Sequence, residues 1–132
     1  MSKPWTLRDQ YIHVILGEVS FQELVNSMAG TTLPDDVLFR IRYLLEAQRE
    51  RQRMYTSCGW FFEDFSRIEP MNSVAYAAQA VRLIRMATGV DLSSQLMEDL
   101  KHVTSDRGGL PGDVVFQKQL KRAEELTRPL LR

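Results

Sequence analysis

Apolar residues recur at three- and four-residue steps along most of this chain, and no stretch stands out with the two-residue alternation of a half-buried strand. Leu7, Tyr11, Val14 and Ile15 predict a short helix that opens at Thr6 and Asp9 and stops at Gly17. Ser20 and Glu23 repeat the capping spacing, Phe21, Leu24, Val25 and Met28 form an apolar face, and Gly30 supplies a left-handed stop. Pro34 suits the first turn of a third helix, where its missing amide would be unpaired anyway, and Asp35 and Asp36 favour the positive end of the dipole. Val37, Leu38, Ile41, Leu44 and Leu45 carry that helix toward Tyr55.

A small-residue break follows at Thr56, Ser57, Cys58 and Gly59, after which Phe61, Phe62 and Phe65 fit about one and a half turns of helix. Pro70 opens the next helix, in which Val74, Ala77, Ala78, Val81 and Ile84 hold helical spacing while Ala75 and Ala80 let a neighbour approach closely. This helix is expected at the centre, ending at Thr88 and Gly89. Asp91 caps a fifth helix with Leu92, Leu96, Leu100 and Val103. Residues 105–112 read as a loop, and Asp113 caps a last helix with Val114, Phe116, Leu120, Ala123 and Leu126, stopped before Pro129. The expected fold is all-α: one domain over 1–132, a bundle of about six helices with frayed tails at 1–4 and 128–132.

Length and composition agree with one soluble globular unit, since 132 residues with 44% hydrophobic and 26% charged side chains can bury a core but not two of ordinary size. The 17 basic and 17 acidic side chains cancel, which leaves no general field to attract nucleic acid or an anionic membrane. With no signal-peptide core, no apolar run long enough to span a bilayer and a single cysteine, Cys58, the expected location is the cytoplasm.

The run 48–53, Gln-Arg-Glu-Arg-Gln-Arg, has no apolar residue. Either it is a solvated helix end whose arginines pair with Glu46 and Glu50, or Arg49, Gln52 or Arg53 reaches a cleft beside the break and contacts sugar hydroxyls. The break itself brings aromatic groups, a thiol and carboxylates together between two helices that hold it in place. Trp60, Phe61 and Phe62 there either fill the core or form a site.

Catalytic constellations are scarce. His13 and His102 are far apart and lack metal-ligand spacing, so no metal and no cofactor is expected. Glu98 and His102, four apart, read as a surface pair, and Cys58 as a buried or half-buried structural thiol without a neighbouring base. Glu63 and Asp64 point about 100° apart on a helix and make a poor pair for glycoside hydrolysis. No complete catalytic site is legible.

The segment MYTSCGWFFEDFSRIEPMNSVAYAAQAVRLI, with LRDQYIHVIL near the start, resembles a helical domain of unknown function that follows the catalytic barrel in bacterial proteins related to glycoside hydrolase family 57. The likeness runs from about Trp5 to about Phe116, and nothing in these residues looks like the barrel with its His and acidic motifs. The resemblance implies a domain that packs against such a barrel, in the same or a separate chain, and lines an oligosaccharide cleft. Trp60 would then be the stacking platform, with Tyr55, Ser57, Cys58, Glu63 and Arg53 around it. The alternative is a stand-alone helical interaction module whose aromatic patch binds protein, including a second copy of the chain.

Overall fold

The computed structural model describes residues 4–62, 64–105 and 108–126, with the side chain of Trp60 outside that description. Six α-helices and one 3-10 turn account for the regular structure, and no strand occurs among the described residues. In chain order these are α1 (Pro4–Ile15), α2 (Phe21–Ala29), α3 (Asp35–Arg53), the 3-10 turn (Ser57–Trp60), α4 (Ile68–Thr88), α5 (Ser93–Leu100) and α6 (Gly112–Leu126). No helix is long and apolar enough to cross a membrane among the described residues.

Helix ends follow local chemistry. At α2 the capping box forms in full: the Glu23 amide donates to Ser20 Oγ, and the Ser20 amide donates to the Glu23 carboxylate. Gly30 and Gly89 close α2 and α4 in the left-handed conformation. Other boundaries differ from the sequence reading. Helix α1 already begins at Pro4, and the remainder of the expected tails, 1–3 and 128–132, lies outside the described residues. Pro34 is the residue before α3, not part of its first turn. Asp91 accepts from the Ser93 amide at 2.9 Å, so it secures the chain one residue ahead of the position where α5 is capped.

The larger correction concerns the aromatic stretch. Phe61, Phe62 and Phe65 are not on a helix. Asp64 accepts hydrogen bonds from the Ser66 amide (2.8 Å) and the Ser66 hydroxyl (2.6 Å), a local bonding pattern that competes with helical pairing and turns the chain into α4.

The core is in two parts. Leu7, Tyr11, Val25, Leu38 and Leu45 gather α1, α2 and α3, while Val74, Ala78, Val81, Val115 and Phe116 gather α4 and α6, with Leu96 and Leu100 of α5 packed against them. Helices α3 and α4 join the halves and run antiparallel: Arg40 reaches the Ala87 carbonyl at 2.9 Å near one end, and Arg53 stacks on Tyr76 near the other. The buried residues Ala47, Ala80, Leu83 and Ala87 lie between those contacts. Small side chains there let two helix backbones come close, and α4, packed on α3, α6 and the 3-10 turn, is the central helix.

Candidate functional site

Helix α3 unwinds gradually into the break. The Tyr55 amide bonds to the Gln52 carbonyl and the Thr56 amide to that of Arg53, tightening the last turn, and the Gly59 amide then bonds to the Thr56 carbonyl inside the 3-10 turn. The turn rests directly on α4. A Cβ built on Gly59 would lie 2.4 Å from Ser73 Oγ, so only glycine admits this approach as it stands. Ser73 Oγ is buried and has no hydrogen-bond partner among the described residues.

Of the residues expected to form a site, Arg53, Tyr55, Ser57 and Cys58 are all exposed around this turn. Tyr55 is 59% exposed and Phe61 79%, which excludes core filling as the role of either ring. Phe62 does turn inward, and the Arg67 guanidinium lies 3.8 Å from its ring centre. Glu63 and the Trp60 side chain lie outside the described residues. Cys58 is an exposed free thiol, contrary to the buried or half-buried one expected, because the 3-10 turn meets α4 through Gly59.

Two clefts flank the start of α4. One, of about 570 Å³, is mainly apolar and is walled by Met54, Phe62, Phe65, Val74, Leu96 and Leu100, with Ser73 and Asp64 as polar points. Asp64 also accepts from Ser105 Oγ at 2.9 Å, so one carboxylate ties the aromatic stretch to the loop after α5. Sequence reasoning gave Asp64 no such role. Its signal was the Asp-x-Ser spacing with Ser66.

The second cleft, of about 550 Å³, opens between α3, α4 and α6 and has a mixed lining, with charged and amide groups beside Ile68, Met71, Ala75 and Leu126. Glu50 is only 9% exposed, and its carboxylate holds Arg53 Nη1 at 3.0 Å. The Arg53 guanidinium lies 4.4 Å from the Tyr76 ring centre, with Nη2 3.4 Å from the phenol oxygen. Burial draws the Arg53 pKa down, but the hydrogen bond and charge of Glu50 outweigh it and leave the guanidinium more firmly protonated than usual. Asn72, Gln79, Gln119 and Arg122 add further polar groups to the walls. In the run 48–53, Arg49 and Arg53 pair with Glu46 and Glu50 as the first reading expects; Arg53 also lines the second cleft, and Arg49 and Gln52 a third beside α1, neither of which includes residues of the break.

Other candidate groups separate. Glu98 pairs with Lys101 at 2.6 Å and also feels the charge of His102, and His13 pairs with Glu18. Among the described residues, no group of three or more His, Cys, Asp or Glu side chains is placed to hold a metal ion.

A family model matches residues 1–126. The chain belongs to DUF3536, a domain of unknown function. No curated protein and no solved structure matches it. Membership of DUF3536 brings no activity with it, so a function has to be argued from the surface around α3 and α4.

Proposed function

We propose that this chain is a non-catalytic helical accessory domain of a family-57-like glycoside hydrolase, which packs against the catalytic barrel and lines an α-glucan-like site with the α3–α4 junction. The exposure of Tyr55 and Phe61 on either side of the 3-10 turn carries this reading. Flat rings held outward on a short, anchored turn present the apolar face of a platform, and Arg53, Ser57 and Cys58 set polar groups beside it. The resemblance of the TSCGWFF segment to the domain behind such barrels supplies the choice of sugar, and Trp60 and Glu63 belong to the same segment.

A second reading, a stand-alone interaction module, draws on α1. Trp5, Ile12 and Leu16 are 69%, 47% and 63% exposed and fall on the side of the helix opposite Leu7 and Val14, so α1 and its end carry apolar residues on two faces. In the accessory reading that outer stripe meets the barrel; in the interaction reading it meets another protein or a second copy.

Fluorescence titration of the chain with malto-oligosaccharides, using Trp60→Ala and Phe61→Ala variants with Trp5 as internal reference, separates the two. Saturable binding lost in folded variants supports the accessory reading. No binding at millimolar sugar, with self-association that Ile12→Glu abolishes, supports the interaction module.

A further inference from the structure

We infer that the cleft between α3, α4 and α6 is a binding site for a neutral, polyhydroxylated ligand of sugar type, distinct from the aromatic platform at the junction. Its polar lining combines one buried carboxylate, two guanidinium groups, the three primary amides of Asn72, Gln79 and Gln119, and the Tyr76 phenol, set among apolar side chains such as Ile68, Met71 and Leu126. The volume of about 550 Å³ lies within the usual range of ligand clefts.

Charge narrows the ligand class. A cation would meet Arg53 and Arg122, whereas an anion would gain Arg122 but lie beside the Glu50 carboxylate, so phosphate is the competing ligand to test. Glu50 and Arg53 neutralise one another at 3.0 Å, and Arg122 makes no ion pair among the described residues. A hydroxyl differs from either ion because it donates and accepts at once. Neighbouring hydroxyls can therefore donate to Glu50 while accepting from Arg53, and each glutamine offers the same pair of functions on one flat group.

Preorganisation supports the same assignment. Tyr76 stacks under the Arg53 guanidinium, and Glu50 fixes one of its terminal nitrogens, so the side chain is held before any ligand arrives. The Arg53 side chain is still 46% exposed, against 11% for Glu50, so it keeps an open edge toward solvent. Gln79 follows Tyr76 by three residues on α4, and Arg122 follows Gln119 by three on α6, which places each pair on one helix face.

The inference rests on the accessory-domain reading only for the choice of an α-glucan probe. It is tested by titrating the ¹⁵N-labelled chain with maltotriose, and separately with inorganic phosphate, while following the side-chain amide signals of Gln79 and Gln119. Saturable shifts of both amides with maltotriose are expected, with affinity at least about tenfold weaker in Gln79→Ala and in Gln119→Ala. Binding of phosphate in place of the sugar overturns the ligand class. Sugar-induced shifts confined to residues 55–62 overturn the cleft while leaving the junction reading intact. No sugar-induced shift anywhere overturns the cleft, and the sugar part of the accessory reading with it.

Discussion

A methyl group on Gly59 would stand 2.4 Å from Ser73 Oγ, and that hydroxyl is buried without a hydrogen-bond partner among the described residues. The two positions are therefore coupled. Gly59→Ala is expected to lower stability by about 1–3 kcal/mol through overpacking. Ser73→Ala alone should be neutral or stabilising, because it removes a polar atom that folding leaves unsatisfied. In the double variant the next atom, Ser73 Cβ, lies at 3.5 Å, so most of the loss should be recovered. Urea unfolding of the four proteins measures the cycle, and additive losses would contradict the contact. The break between α3 and α4 was legible as a run of small residues before aromatics. Which rings point outward was not, because the expected helix put Phe61 and Phe62 in one regular register, whereas the 3-10 turn and the Asp64–Ser66 bonds replace that helix.

Among the elements, α1 is fastened to α3 by one polar contact: the Tyr11 hydroxyl donates to the Glu46 carboxylate. Burial first, and then this bond and the charge of Glu46, push the Tyr11 phenol well above the ordinary tyrosine range. A folded-state value raised in this way contributes stability that is fully present below the unfolded value of about 10 and is lost as pH rises above it. The thermal unfolding midpoint should therefore fall on the alkaline side, and Tyr11→Phe should reduce that dependence while costing about 1.5–3 kcal/mol at neutral pH. An unchanged alkaline limb in the variant would show that other groups govern it. The element order was largely readable from periodicity, with Ser20, Glu23, Gly30 and Gly89 marking helix ends by chemistry that acts within a few residues. Tyr11 read only as an apolar position, since its partner is 35 residues away.

For the whole molecule, the decisive feature is the α3–α4 contact that joins two separate hydrophobic clusters. Interpolating between the Arg40–Ala87 and Arg53–Tyr76 contacts places Ala47 within about a residue of the level of Ala80, and both side chains are buried. Ala80→Leu should therefore force the helices apart, at a cost of about 1–3 kcal/mol, and weaken any ligand binding in the cleft built from both. A calorimetric midpoint equal to that of the unsubstituted chain would contradict this packing. Ala80 was recognisable as a close-approach position from the sequence, and the central place of α4 as well. The cleft between α3, α4 and α6 was not, because its residues belong to three helices whose mutual arrangement no local pattern encodes; only the three-residue spacings of Tyr76 with Gln79 and Gln119 with Arg122 hinted at it.

The proposed carbohydrate-facing role rests on the exposed junction rings, Tyr55 and Phe61. Calorimetric titration of the chain with a malto-oligosaccharide, beside Phe61→Ala and Tyr55→Ala, tests that most directly. Saturable heat in the unsubstituted chain, with binding at least about tenfold weaker in each variant while its helical signal is unchanged, is the predicted result. Equal binding in all three proteins, or none in any of them at millimolar sugar, would contradict it.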